Sequence, residues 1–252
     1  MNVYSEFRSG SIINRQMLIS LRDYPIDLVN ELYRAYPNGI IHGFEVEVHE
    51  NVISVGSGIV KYEDRILLMD KAQELSVVPG VWHCVLDVSS NQIDNCEETM
   101  VVPKLYQLSS ELDNNNSPYE LFRFVYNEGA SMRGIPNKFD KLVEPLRNTI
   151  DIRFRKKAMP KMLYLPDSIV LTLFAETLLE KSSLSINDMA FSYLCLNELN
   201  DVSPLLRYLD VSADTSTYQM INMLYGKIKS IKEEKYAPKK ELTKRPDKIE
   251  IR

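Results

Sequence analysis

The segment 39–69 constrains the fold most, because short alternating apolar stretches are separated there by closely spaced turns. In its first strand, three apolar side chains alternate with charged residues or histidine, namely Phe44, Val46 and Val48. A period of two places one face of a strand in a core and the other in water. Three turns are predicted, at residues 50–51, 56–58 and 63–64. We therefore expect an antiparallel meander within a β-sandwich or barrel-like domain.

The glycine-rich sequence at 56–58 is interpreted as a strand corner and not as a phosphate-binding loop. A phosphate loop needs Gly-Lys-Ser/Thr or the N-terminus of a following helix, and neither is present. The patterns GxxxxGK[ST] and GxGxxG are absent from the whole sequence. The sequence thus argues against an NTPase, a helicase or a dinucleotide-dependent enzyme.

Few residues are arranged for catalysis. The acidic pairs are Glu45 with Glu47, on the outer face of one strand, and Glu97 with Glu98. Neither pair lies in a recognisable catalytic pattern, and GxSxG and HExxH are absent. We expect a protein that is not an enzyme and has no catalytic residues.

Metal and cofactor sites are not predicted either. The three cysteines, Cys84, Cys96 and Cys195, are widely spaced and form no CxxC pair, which favours reduced thiols. The three histidines, His42, His49 and His83, show no ligand spacing with each other or with Cys84. We therefore assign no metal and no cofactor.

The charge is unevenly distributed along the chain. Residues 227–252 contain ten basic and five acidic residues and carry +5, so the preceding part carries −10. Acidic residues are interspersed in this basic tail and Tyr236 is its single aromatic residue, which argues against nucleic-acid binding.

No apolar run reaches the roughly 20 residues of a membrane span, and the first residues lack a secretory signal. We expect synthesis in the cytoplasm.

Five regions are predicted in an α+β fold: a helical arm (1–38), an antiparallel β domain (39–127), a connector (128–165), a small helical bundle (166–235) and an extended basic tail (236–252). The arm helix is predicted over about 25–36, since Pro25 suits a first helical turn. Further strands are predicted at 73–78, 81–88, 99–102, 104–108 and 119–126, with turn-rich sequence at 89–97. Four bundle helices are predicted at 168–181, from a cap at 185 or 187 to 199, at 203–210, and from a cap at 214–216 to about 235.

The arm followed by GIIHGFEV and VISVGSGIVKYEDRILLM resembles the opening module of baseplate or fibre-attachment proteins of tailed phages and related contractile injection particles. The matching residues are Gly43, Phe44, Val46, Val55, Gly58 and Ile59. The similarity covers about residues 10–70, and residues 63–64 stand where the family often has a glycine turn. The resemblance implies a non-catalytic structural protein of a virion tail or phage-tail-like particle, which links neighbouring subunits or attaches a tail fibre.

In such a protein the β domain would pack on neighbouring tail subunits and the helical part would join another component. The chain ends could add a strand or a helix to a partner, within an assembly that could include further copies of the chain. The candidate partner-binding residues are Ile249, Ile251, Tyr218 and Tyr225; the first two alternate with charged residues as in an added edge strand. Two other interpretations stay open. A glycan- or receptor-binding module would stack sugars on Tyr62, Trp82 or Tyr119, and a hydrolase would depend on the pair Glu45 and Glu47.

Overall fold

The computed structural model describes residue 10 and residues 12–93, 96–108, 117–144 and 147–231. Within these ranges the chain has the expected α+β fold. The helices are α1 (Arg15–Leu32), α2 (Phe139–Val143), α3 (Ser168–Leu179), α4 (Ile186–Leu196), α5 (Ser203–Leu209) and α6 (Thr217–Ser230). The strands are β1 (Gly39–Gly43), β2 (Val46–His49), β3 (Val52–Val55), β4 (Gly58–Tyr62), β5 (Arg65–Met69), β6 (Gln73–Ser76), β7 (Gly80–Ile93), β8 (Cys96–Gln107), β9 (Glu120–Tyr126), β10 (Lys156–Met159) and β11 (Leu163–Pro166).

The strands form three sheets, with the orders β11-β10-β1-β4-β5, β2-β3-β6 and β8-β7-β9. The predicted hairpin of β2 and β3 is present, but β3 continues its sheet with β6, while β4 pairs with β1. The expectation of one consecutive meander is therefore wrong. In addition, β1 pairs in parallel with β10, a contact between distant segments that local alternation cannot indicate.

The corner at which residues 43–44 meet residues 56–58, which we call the glycine corner, explains why the chain changes sheets. Phe44 is fully buried at a positive φ of 61°, and its amide donates to the carbonyl of Ser57 over 2.8 Å. A Cβ at Gly58 would come within 2.4 Å of the Phe44 ring, and one at Gly43 within 2.4 Å of the Ser57 oxygen. The interpretation of residues 56–58 as a strand corner is confirmed, and this corner sends the chain from one sheet to the next.

The segment 89–97, predicted as turn-rich, instead extends β7 and β8 into a long hairpin whose register runs from Trp82↔Gln107 to Ile93↔Cys96. The predicted break at Pro103 is also absent. Because β8 lies at the edge of its sheet, a residue without an N–H group is tolerated there.

The helices of the C-terminal part match the sequence prediction closely. The predicted caps of three helices are made: the side chains of Asp167, Ser185 and Ser216 accept from backbone amides at the starts of α3, α4 and α6. Helix α6 ends at Ser230, and the predicted extension to about 235 lies outside the described residues. The segment predicted as a connector contains α2, β10 and β11, which are too short to produce a visible period.

One hydrophobic core joins the sheets and the helices. Each helix except α1 contributes buried side chains to it. Phe174 of α3, for example, makes edge contacts with Phe139 of α2, Phe191 of α4 and Tyr208 of α5.

A buried arginine reinforces this connection. Arg155 donates to the carbonyls of Gly43 and Phe44 at the glycine corner, and its Nε lies 2.9 Å from Oδ2 of Asp167, the cap of α3. It therefore ties the first strands to the helical part.

Candidate protein-docking site

Helix α1 contributes no side chain to the core of the described residues: none of its 18 residues is buried, and none is among the half-buried apolar residues that pack against the core. Six of its exposed apolar residues lie on one side and are between 38 and 67% exposed: Leu18, Leu21, Tyr24, Leu28, Val29 and Leu32. Ile26 is also exposed but lies about 60° beyond Val29 around the helix. At about 100° per residue the six residues span an arc of about 140°, which also includes the exposed Pro25. We call these seven residues the α1 stripe.

Polar contacts attach the opposite side of α1 to the body. Asn30 follows Leu21 by nine residues, which places it on the far side of the helix, and its Oδ1 accepts from the amide of Ile66 in β5 over 2.9 Å. Nζ of Lys61 in β4 donates to three carbonyls just after the helix, those of Tyr33, Arg34 and Tyr36, over 2.7 to 3.1 Å. The helix is thus held by hydrogen bonds, and the α1 stripe faces away from the protein.

The start of this helix differs from the prediction. α1 begins at Arg15, capped by Asn14 Oδ1, which accepts from the amide of Met17 over 2.9 Å. Pro25, predicted in the first turn, lies in the middle of the helix. The signal that sequence reasoning missed is the spacing of Leu18 and Leu21 before the proline.

The two edges of the α1 stripe differ in charge. Arg15 and Arg22 border it on the side of Val29, and Asp27 and Glu31 border it on the side of Tyr24. Nε of Arg22 donates to Asp23 over 2.6 Å, a hydrogen bond that lowers the pKa of the Asp23 carboxyl. The helix therefore presents an apolar surface with one basic and one acidic border.

The predicted partner-binding tyrosines make contacts within the chain. The Tyr218 ring stacks on the Phe154 ring, with the two ring centroids 5.1 Å apart. The guanidinium carbon of Arg123 lies 3.6 Å from the centroid of the Phe154 ring. Tyr225 is half-buried and packs against the core, and Nζ of Lys229 lies 4.2 Å from the centroid of its ring. The other two predicted residues, Ile249 and Ile251, lie outside the described residues. Partner binding by these four residues stays a prediction.

A second exposed apolar face lies on α4, formed by Ile186, Met189, Tyr193 and Leu196.

An open cleft of about 790 Å³ lies beside this helix, lined by residues of the α4–α6 region. Its polar groups serve the fold: Asp188 accepts from Ser185 and from the Tyr208 hydroxyl, the latter over 2.7 Å. Burial acts to raise the pKa of Asp188, but these hydrogen bonds outweigh it and lower that pKa. Burial and Asp188 together raise the pKa of Tyr208.

The groups considered for catalysis and metal binding are dispersed. Glu45 is exposed, and Glu47 of β2 lies 3.4 Å from His49 at the surface. Burial raises the pKa of the Cys84 thiol, and that of the Cys195 thiol to about 12. In the described part of the chain, no group of three His, Cys, Asp or Glu residues is close enough to hold a metal ion.

The aromatic residues considered for sugar binding make contacts with other residues of the same chain. Trp82 is half-buried, and its Nε1 donates to the carbonyl of Val78 over 2.9 Å. The Tyr119 hydroxyl donates to the carbonyl of Lys61 over 3.1 Å, with the Tyr62 ring 6.2 Å from the Tyr119 ring. Burial and, secondarily, Tyr62 raise the pKa of Tyr119 to about 12.

Comparison with known proteins identifies a distant structural neighbour. No family model and no curated protein matches the chain. A matching solved chain belongs to the cryo-electron microscopy structure of the type VI secretion system TssK-TssF-TssG baseplate subcomplex, with 12% sequence identity and a TM-score of 0.44. The match covers 91% of this chain and 100% of that one. A TM-score this low does not establish a shared fold, so the α1 stripe has to be interpreted from this chain's own residues.

Among the helices that the structure describes, none combines the length and the apolar character that crossing a membrane requires.

Proposed function

We propose that this protein is a non-catalytic assembly subunit of a baseplate in a phage-tail-like particle, and that it joins neighbouring subunits or attaches a fibre through α1. The α1 stripe carries this proposal. Six large apolar side chains on one helix face water together, although a helix of this pattern normally buries that face. The sequence resemblance over residues 10–70, which includes α1, supports the choice of particle.

The way in which α1 is attached also supports a docking role. Lys61 and Asn30 fix the helix through backbone hydrogen bonds and use none of its large apolar side chains. A partner would therefore meet a helix that is already formed, which reduces the ordering cost of association. In a particle with many copies, modest surfaces of this kind add up through effective concentration.

Affinity capture from purified particles or lysate of the source cell tests the proposal. The immobilised baits are the full-length protein, the stripe variant Leu21→Glu/Leu28→Glu, and a control with the same charge change off the stripe, Gln16→Glu/Ser20→Glu. Captured proteins are quantified by mass spectrometry. We expect the wild type and the control to enrich tail or baseplate structural proteins, and the stripe variant to lose at least about tenfold, since charges at the centre of an interface cost well over 1 kcal/mol.

Two results would contradict the proposal. One is equal capture by the stripe variant, which would show that the α1 stripe is not the docking surface. The other is a captured set that depends on the α1 stripe but contains no structural particle protein, which would refute the role in a baseplate.

A further inference from the structure

The spacing and borders of the α1 stripe also specify what should bind there. Resting on the proposed docking role, we infer that the occupant is an α-helix of a different protein, with an apolar seam and two carboxylates seven residues apart opposite Arg15 and Arg22.

The spacing indicates a helical partner. Five residues of the α1 stripe follow each other at alternating steps of three and four, namely Leu18, Leu21, Pro25, Leu28 and Leu32. This is the a/d repeat by which one helix packs against another at a shallow angle. An 18-residue helix is about 27 Å long, so the seam is long enough for a helix of similar length.

The charge on the seam's border specifies the partner further. Arg15 and Arg22 occupy equivalent positions of successive heptads, about 10.5 Å apart along the helix, and both are exposed. Arg22 binds Asp23 through Nε, and a guanidinium has further N–H donors for a second carboxylate. A partner helix with acidic residues at matching heptad positions would pair with both arginines.

A second copy of the chain does not provide this match. In an antiparallel pair aligned over the whole seam, the border with Arg22 in one copy lies along the same border of the other copy, so Arg22 would face the region of Val29. In a parallel pair, Arg22 would face Met17 of the other copy, and Val29 would face Tyr24. Neither arrangement places a carboxylate opposite Arg22, which favours a different protein as the occupant.

Two designed peptides test the inference. Both are three-heptad helices with Leu at every a and d position, one with Glu and one with Lys at the positions that face Arg15 and Arg22. Binding of fluorescein-labelled peptides to the full-length protein is measured by anisotropy at low salt. We expect the Glu peptide to bind about tenfold more tightly than the Lys peptide, with a smaller difference at high salt.

Charge reversal provides the matched comparison. The variant Arg15→Glu/Arg22→Glu should prefer the Lys peptide. The control Arg65→Glu/Lys71→Glu, which changes exposed residues outside α1, should keep the preference for the Glu peptide. Circular dichroism of each variant verifies that the helix content is unchanged.

Other outcomes overturn the inference and leave the docking role to the capture experiment. Equal binding of both peptides, lost in Leu21→Glu/Leu28→Glu, would show an apolar site without charge selection. Sedimentation of the wild type as a dimer that the same stripe variant dissociates would identify a second copy as the occupant. Binding of neither peptide would refute a helical partner of this chemistry.

Discussion

At the scale of residues, Arg155 contributes to the fold in a way that its sequence context conceals. In the sequence it belongs to RFRKK, a basic run of the type that is usually solvated. In the structure its side chain is buried, bonds two carbonyls of the glycine corner and faces the carboxylate of Asp167. A local pattern cannot show this, because the two carbonyls of the glycine corner are more than 100 positions away from Arg155 along the chain.

Replacing this arginine should therefore destabilise the whole protein. Arg155→Met removes the charge while keeping much of the side-chain volume, and it leaves Asp167 buried without its ion-pair partner. We expect a loss of about 3–5 kcal/mol in the free energy of unfolding. Urea denaturation measures it, with Arg34→Met as the control, because Arg34 pairs with Glu31 at the surface and should cost at most about 1 kcal/mol. Equal losses for the two variants would contradict the described role of Arg155.

A second residue-scale prediction concerns the glycine corner. Gly58→Ala should destabilise the protein strongly, because the new methyl carbon would come within 2.4 Å of the buried Phe44 ring. Gly226→Ala is the matched control: it lies inside α6, and a Cβ there would meet no atom within 4 Å outside the adjacent turns of its own helix. Alanine should therefore stabilise the protein by about 0.5–1 kcal/mol. Thermal unfolding of both variants measures the effects, which should have opposite signs.

At the scale of elements, the helices with conventional caps and the local hairpins were predictable, and the pairing of strands that are not joined by a turn was not. Asp167, Ser185 and Ser216 precede apolar helical patterns, and each of them caps a helix as expected. The glycine corner was recognised, but the sheet that β4 joins depends on β1, and β1 also pairs with β10 of the predicted connector. Strand partners of this kind are set by tertiary packing, on which the local sequence carries little information.

The capping box of α4 gives a prediction that depends on pH. Asp188 accepts from the Ser185 hydroxyl and from Tyr208, so Asp188→Ala should cost about 1–2 kcal/mol at neutral pH. Because the folded state lowers the pKa of Asp188, its contribution is present above the unfolded value of about 4 and is lost as the pH falls through the folded value. Urea denaturation at several pH values should show the difference from wild type shrinking in acid. An exposed control, Asp70→Ala, should show a small effect at every pH.

At the scale of the whole molecule, the shared core raises a question about the predicted division into a β domain and a helical bundle. Buried residues of the sheets and of α2–α6 form one cluster, and Arg155 ties the two parts together. We therefore expect one unfolding transition. Fluorescence of Trp82, the single tryptophan and a residue of β7, should report the same denaturation midpoint as the far-ultraviolet circular dichroism of the helices. A separate helical transition would instead support the independent bundle that the sequence suggested.

The docking site was only partly predictable at this scale. The sequence resemblance indicated an assembly protein, but the candidate residues chosen in α6, Tyr218 and Tyr225, contact other side chains of the same chain. The sequence pattern alone does not reveal the α1 stripe, because its first half precedes Pro25 and because apolar helical positions are normally attributed to a core. Only the burial of each side chain shows that the stripe faces outward.

Hydrogen–deuterium exchange of α1, in the free protein and in the complex recovered by affinity capture, tests the central claim most directly. With no buried side chain, α1 should exchange fast in the free protein compared with α3, whose residues largely line the core. In the complex, the amides of residues 15–32 should become strongly protected, while those of α3 stay unchanged. Equal exchange of α1 in the free and the bound protein would contradict the account, because it would show that the partner binds somewhere other than the α1 stripe.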